Sequence, residues 1–158
     1  MRYAELVEAY EKLEGTTKRL EMTDLLVALF MAVPKTELER VVYMTQGRVF
    51  PDYAGVELGL AEKLAIRAIA QTTGDSDESI EAAWKTAGDL GLVAEERLRR
   101  RKQTSLQTEP LTVAKVYRNL KDIATTAGSG SQEKKLSLLA ELLTDAAPKE
   151  ARYLVRIV

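Results

Sequence analysis

The stretch TVAKVYRNLKDI at residues 112–123 decides the fold class. Its apolar side chains recur every three or four positions and so share one face of an α-helix: Val113, Val116, Tyr117, Leu120 and Ile123. Thr112, directly before them, is a residue type that caps helix N-termini. Similar spacing recurs along the chain, and no segment alternates in the manner of a strand. The sequence therefore predicts an all-α, single compact domain of about nine or more helices.

Helix boundaries are marked by capping and helix-breaking residues. Ser76 and Asp89 are predicted N-caps, and Gly88 is expected to close the helix between them. Leu60 is expected to begin a helix that runs to Gly74, and another helix is predicted from Leu90 through Lys102. Pro34 and Pro148 suit the first turns of helices. Three segments are expected to connect helices: Arg48–Gly59, Gln103–Pro110 and Gly128–Ser131.

The two ends of the chain contain a faint repeat. Leu6–Leu13 resembles Val113–Leu120, Leu25-Leu26 matches Leu138-Leu139, and the residues after Pro34 resemble those after Pro148. The repeat predicts an internal pseudo-two-fold axis. The alternative is chance likeness between amphipathic helices.

Composition excludes several kinds of chemistry. The 158 residues contain no His and no Cys, which excludes an imidazole base, a thiolate nucleophile and a disulfide framework. No apolar run approaches the roughly 20 residues of a membrane span, and no signal peptide precedes the first helix. We expect an intracellular domain, located in the cytoplasm and not in a membrane.

The net charge of −1 conceals an uneven distribution. Residues 1–79 carry 9 basic and 14 acidic side chains, whereas residues 80–158 carry 14 basic and 10 acidic ones. The densest basic run consists of Arg97, Arg99, Arg100, Arg101 and Lys102. It is either a phosphate-binding patch or a solvated helix end, because basic residues also favour helix C-termini.

Two glycine-bearing loops are candidate binding sites. Gly128-Ser-Gly-Ser131, followed by Lys134 and Lys135, has the glycines and the helix N-terminus of a phosphate cradle. It lacks the residues of a Walker loop or a dinucleotide fingerprint, and an ordinary interhelical loop is the alternative. Residues 85–91 are either a second helix N-terminus beside Lys85 or a structural corner between helices.

The remaining chemical groups suggest little. Phe50 and Tyr53 are free to stack on bases or to pack on the core. The carboxylates of Glu11, Glu14, Glu37 and Glu39 are expected to be solvated, which does not suit acid–base catalysis. No metal site is predicted.

Six strings, in order, resemble the N-terminal DNA-binding domain of archaeal and eukaryotic ATP-dependent DNA ligases. They are Gly47–Asp52, Glu57–Lys63, Gly88–Glu95, Pro110–Val113, Gly128–Ser131 with Lys134-Lys135, and Glu150–Arg156. The resemblance covers essentially all of residues 1–158 and is nearest to the archaeal members.

The resemblance implies a helical domain that grips nicked duplex DNA through phosphates and the minor groove, with little base specificity. By position it implies these DNA-binding residues: Lys85, Gly88, Gly91, Gly128, Ser129, Gly130, Ser131, Lys134, Lys135, Arg152 and Arg156. Arg156 is expected to be more exposed than Arg152. The resemblance also implies a monomer that acts on chromosomal DNA.

Two departures from the family limit what this chain is expected to do. The Lys-x-Asp-Gly adenylation motif and the OB-fold of the family are absent, so the chain alone is expected to bind DNA without joining it. No cofactor is expected for this chain alone, whereas the resemblance implies ATP and Mg²⁺ for the full-length ligase. Archaeal members often carry a sliding-clamp motif in the connector, but Gln103–Leu106 keeps the Gln without the aromatic pair, so the resemblance gives little support for clamp binding and a polar linker is the alternative. The alternative function is a helical protein-interaction scaffold with no nucleic-acid role.

Overall fold

A computed structural model describes residues 1–101 and 109–158 of the chain. Within these residues the backbone forms nine α-helices and no strand, which confirms the all-α prediction. The helices are α1 (Tyr3–Glu14), α2 (Arg19–Ala32), α3 (Leu38–Thr45), α4 (Glu62–Thr73), α5 (Asp77–Ala87), α6 (Leu90–Arg100), α7 (Val113–Thr125), α8 (Ser131–Asp145) and α9 (Pro148–Ile157). A 3₁₀ turn, Asp52–Ala54, lies between α3 and α4. None of the described helices is both long and apolar enough to cross a membrane.

The predicted N-caps lie where the sequence placed them. The Ser76 hydroxyl accepts a hydrogen bond from the Ser79 amide, and the Thr112 hydroxyl accepts one from the Lys115 amide. Two boundaries differ from the prediction. α6 ends at Arg100 rather than Lys102, and α4 begins at Glu62, after Leu60. Leu60 is buried in an extended segment, so an apolar pattern alone does not show where the helix starts.

Two three-helix units, α1–α3 and α7–α9, have contacts that follow the predicted pseudo-two-fold repeat. The Tyr3 amide donates to the Leu111 carbonyl at 2.8 Å, and the Val113 amide donates to the Met1 carbonyl at 3.0 Å. Each of these two bonds becomes the other when the two units are interchanged. The contact of α1 with α9 corresponds in the same way to the contact of α7 with α3. Tyr3 thus corresponds to Val113, one turn away from the sequence match of Leu6 with Val113. A helix shows nearly the same face after each turn, so the apolar pattern does not fix this register.

The central helices α4–α6 cover only one of the two units. α6 packs against α9 and α4 packs against α8, so the second unit is enclosed, whereas the main contacts of α2 within the described residues are with α1 and α3. One continuous hydrophobic core results, with large side chains from all parts of the chain buried in it, including Tyr3, Leu6, Ile69, Ile80, Leu120, Leu142 and Leu154.

The outer face of α2 therefore remains bare. Leu20, Val27 and Met31 are 82%, 55% and 82% exposed. In the sequence match of Leu25-Leu26 with Leu138-Leu139, Val27 is aligned with Ala140 of α8, which is only 8% exposed. The same position is thus covered in one unit and open in the other.

Candidate nucleic-acid interface

The Gly128–Ser131 loop presents the start of α8 without a side-chain cap. Gly128 and Gly130 have left-handed φ values of +90° and +76°, and Gly130 is the N-cap residue. The Ser131 amide donates to the Gly128 carbonyl at 3.2 Å. Within residues 1–101 and 109–158, no side-chain oxygen accepts from the next amides, those of Gln132 and Glu133. Uncapped amides at the positive end of a helix suit an anion.

An open depression of about 340 Å³ lies at this loop. Its lining consists mainly of hydroxyl, backbone and charged groups: Asp122, Thr125, Thr126, Ala127, Ser129, Gly130, Ser131 and Lys134. Lys134 is exposed and Lys135 is half-buried, and within the described residues neither forms an ion pair. Glu133, in contrast, is paired with Arg67 of α4 at 3.1 Å. The two lysines therefore keep their charge available for an external anion.

The loop between α5 and α6 differs from the Gly128–Ser131 loop, called the Gly-Ser loop below, because the Asp89 carboxylate caps the start of α6. Gly88, with φ of +73°, closes α5, and its amide donates to the Trp84 carbonyl at 2.8 Å. Asp89 Oδ1 accepts from the Gly91 amide at 2.8 Å and from the Leu92 amide at 3.3 Å. Lys85 pairs with Glu81 on the exposed face of α5 at 3.1 Å. Both predicted structural roles, the closing Gly88 and the capping Asp89, are confirmed.

Gly91 lies where α6 comes closest to α9. A Cβ atom at this position would be 2.6 Å from the Arg152 carbonyl oxygen and 2.8 Å from Cγ of Arg156. Gly91 is buried, so it lets the two helices approach. The sequence shows Gly91 only as a small residue in a helical run, and nothing in it identifies α9 as the helix that packs there.

Arg152 is held inside the protein by two carboxylates. Its guanidinium lies 2.9 Å from Glu11 and 3.2 Å from Glu95, and its side chain is 14% exposed. The guanidinium also lies over the ring of Tyr153. The described contacts thus engage Arg152 in joining α9 to α1 and α6.

Arg156 bridges three helices at the edge of the α5–α6 loop. Its Nε and Nη2 donate to Asp89 Oδ2 at 3.1 and 2.7 Å, and its Nη1 donates to Glu14 at 2.5 Å. At 29% exposure its side chain is more accessible than that of Arg152, as expected. Burial alone would raise the pKa of Asp89, but hydrogen bonds from Arg156 and the Leu92 and Gly91 amides hold that pKa below its usual range.

The basic run that begins at Arg97 is engaged within the protein as far as the structure describes it. Arg97 pairs with Asp75, Arg99 with Glu95 and Arg100 with Glu96, while Arg101 donates to the carbonyls of Leu143 and Thr144. These contacts agree with the helix-end alternative and leave the phosphate patch a prediction. Lys102 lies outside the described residues, as do Gln103 and Leu106 of the proposed clamp motif.

The two aromatic side chains of the loop after α3, Phe50 and Tyr53, lie in different environments, one packed on the core and one open to solvent. Phe50 is half-buried against the core, with the ammonium of Lys121 5.4 Å from its ring centre. Tyr53 is almost fully exposed. The Tyr117 hydroxyl donates to the Val49 carbonyl at 2.7 Å and ties the loop to α7.

The expectation of solvated carboxylates is wrong for Glu11 and Glu37. Glu37 is 2.8 Å from the N-terminal ammonium and is largely buried. A hydrogen bond from Lys149 lowers the pKa of Glu11, which also pairs with Arg152. Their cationic partners are distant in sequence, so a local reading of helix faces does not find them.

The α1–α2 loop is a further candidate that the residue-level prediction missed. The pseudo-two-fold axis relates it to the Gly-Ser loop, because α1 and α2 correspond to α7 and α8. The loop contains the exposed cations Lys18 and Arg19, and the Thr16 hydroxyl donates to Glu21 at 2.8 Å. The match of Thr16-Thr17 with Thr125-Thr126 was the available signal.

Residues 2–158 match the protein family described as DNA ligase N terminus. The chain is 47% identical over 163 residues to DNA ligase 2 of Thermofilum pendens, an alignment that covers 99% of the chain and 27% of that relative. It is 42% identical over 158 residues to the DNA ligase of Nitrosopumilus maritimus, with coverage of 100% and 27%. It is 44% identical over 156 residues to the DNA ligase of Methanothermobacter thermautotrophicus, with coverage of 99% and 28%. The chain thus spans 27–28% of the length of these relatives.

Proposed function

The chain belongs to the DNA ligase N-terminus family, and from that membership we propose that it binds nicked double-stranded DNA without sequence preference and positions the nick for joining. We assign the joining step to regions of the ligase outside the match, because the 158 residues contain no Lys-x-Asp-Gly motif. Among residues 1–101 and 109–158, no group of three or more acidic side chains could hold a metal ion. From the family membership we propose ATP and Mg²⁺ as cofactors of the whole ligase. We further propose that this domain is monomeric and acts on chromosomal DNA inside the cell.

The observation that carries the proposal is the uncapped start of α8 beside Lys134 and Lys135. A phosphate at this position would accept hydrogen bonds from backbone amides and from the hydroxyls of Ser129 and Ser131, with lysine charge beside them. Amides and ammonium groups bind the phosphate backbone and do not distinguish bases. Binding through this loop is accordingly expected to be independent of sequence.

We also assign a DNA contact to the α1–α2 loop with Lys18 and Arg19. The pseudo-two-fold axis supports this assignment, because it relates this loop to the Gly-Ser loop. Two related loops would meet the duplex on either side of the axis, which suits a domain that spans a nick.

The salt dependence of duplex binding tests the proposal. Each phosphate neutralised by a cation contributes about −0.9 to the slope of log K against log salt. We expect a dissociation constant that rises steeply between roughly 50 and 200 mM salt and that is the same for unrelated duplex sequences. Absent or salt-insensitive binding would contradict the proposed function.

A pair of charge-matched double variants locates the contact. Lys134→Gln with Lys135→Gln is expected to weaken binding to all sequences alike and to reduce the slope by about two. Arg99→Gln with Arg100→Gln removes the same charge from side chains already paired with Glu95 and Glu96, and it should change the slope little. The reverse result would move the binding site to the basic run.

The second candidate function is a protein-interaction scaffold, which the bare apolar face of α2 favours. It predicts no duplex binding at any salt concentration. Leu20→Gln with Met31→Gln removes the apolar side chains without adding charge, and it would then abolish binding to the protein partner while leaving DNA affinity unaffected if the first proposal holds.

A further inference from the structure

We propose that Arg156 is a positioning residue that neutralises and fixes Asp89 at the α6 start, and that it is not itself a phosphate ligand. This inference rests on the proposed DNA-binding function and concerns how the α5–α6 loop takes part in it. It departs from the expectation that Arg156 contacts DNA directly.

The hydrogen-bond geometry divides the Asp89 carboxylate between two tasks. Oδ1 accepts from the first-turn amides of Gly91 and Leu92, whereas Oδ2 accepts from Nε and Nη2 of Arg156. The planar guanidinium thus holds the capping carboxylate at two points, so rotation of Asp89 away from the helix would break four hydrogen bonds. This arrangement fixes the conformation of the loop that begins at Gly88.

Three of the five N–H donors of Arg156 are already engaged. Its third nitrogen, Nη1, donates to Glu14, and the guanidinium lies 5.4 Å from the centre of the Tyr153 ring. Each of the three nitrogen atoms therefore donates to a carboxylate of this chain. A phosphate that did not displace a carboxylate would have only the second N–H groups of Nη1 and Nη2 to bind.

The charges explain why an arginine is needed at this position. Asp89 supplies the cap that α6 requires, but an unpaired carboxylate at a loop that faces phosphates would repel them. The partial positive charge of the helix start is only about half a unit and does not offset a full negative charge. Arg156 offsets most of that charge, because it contacts Asp89 through two nitrogens, and it also pairs with Glu14 at the neighbouring end of α1. The loop then meets DNA with the negative charge of Asp89 largely offset.

Four proteins separate neutralisation from direct contact: the wild type, Arg156→Gln, Asp89→Asn, and the double variant with both changes. Duplex affinity and its salt slope are measured for each, with thermal unfolding to verify that each is folded. We expect Arg156→Gln to weaken binding about tenfold, because Asp89 is left uncompensated. The double variant has the net charge of the wild type, and Asn is as good an N-cap as Asp. It should bind within about threefold of the wild type, with an unchanged salt slope.

Direct phosphate binding by Arg156 predicts the opposite pattern. The double variant would then remain as weak as Arg156→Gln, and its salt slope would fall by about one. That pattern overturns the inference, as does wild-type affinity for Arg156→Gln. Asp89→Asn alone should strengthen binding in either case, because it removes a carboxylate that repels phosphates, and it serves as the control for that repulsion. If Arg156→Gln is unfolded, the comparison of the wild type with the double variant still decides. Failure of the wild type to bind any duplex would instead refute the proposed function itself.

Discussion

Replacing Gly91 with Ala tests the close approach of α6 to α9. The added methyl carbon would lie 2.6 Å from the Arg152 carbonyl oxygen, well inside the usual non-bonded separation, so backbone of α9 has to move. Overpacking of this kind typically costs about 1–3 kcal/mol. The better helix propensity of Ala returns less than about 1 kcal/mol in a first turn. We therefore expect a net loss of about 1–2 kcal/mol in the free energy of unfolding.

Thermal unfolding followed by circular dichroism measures this loss. For a domain of about 150 residues, each kcal/mol lowers the melting temperature by roughly 2–4 °C, so the expected fall is roughly 2–8 °C. Gly15→Ala is the matched control. Gly15 has an ordinary φ of −74°, and its nearest new contact would be 3.4 Å. Its melting temperature should be unchanged or slightly higher, because Ala restricts the unfolded chain.

An unchanged or raised melting temperature for Gly91→Ala would refute the assigned helix contact. A fall in the Gly15→Ala control of the same size would also refute it, since the loss would then reflect glycine replacement in general. DNA affinity provides a second readout, because displacement of α9 moves Arg156 away from Asp89. We expect Gly91→Ala to weaken duplex binding and Gly15→Ala to weaken it less.

Three further predictions concern stability. Burial raises the pKa values of Tyr10 and Tyr153 to about 12, above the roughly 10 of an unfolded tyrosine. Their contribution to the free energy of unfolding should therefore be fully present below about pH 10 and be lost as the pH rises towards 12. A free energy of unfolding that stays constant between about pH 10 and about pH 12 would contradict this. Thr112→Ala should lower the free energy of unfolding by about 1 kcal/mol in urea denaturation, and Thr112→Ser should retain the cap; equal losses in both would argue against capping. Tyr117→Phe removes the 2.7 Å bond to the Val49 carbonyl and should cost about 1 kcal/mol, with faster proteolysis within residues 47–60.

Local chemistry explains which parts of the structure the sequence predicts. Ser76, Asp89 and Thr112 act as caps through hydrogen bonds to amides two or three residues away, so each motif contains its own partner. Gly88 closes α5 in the same way, through a bond within one turn. The helix count and the interhelical loops follow from such signals.

The site depends on contacts that no local pattern contains. Arg156 meets Asp89 across 67 positions of the chain, and the N-terminal ammonium meets Glu37 across 36. The sequence shows these residues as charges on polar helix faces, and only the packing of α6 against α9 decides that Arg156 is paired. The α1–α2 loop was missed for a related reason, since its significance comes from the pseudo-two-fold axis.

Because α4–α6 pack against the second three-helix unit, α2 and its counterpart α8 open to solvent at different free energies. Opening α2 exposes the buried Leu29 and the half-buried Phe30, whereas Leu20, Val27 and Met31 already face water. Opening α8 would first require release of α4. The backbone amides of α2 are therefore expected to exchange with solvent before those of α8. Two helices in corresponding positions thus differ in how long they persist, and the proposed amide site lies at the start of the more persistent one.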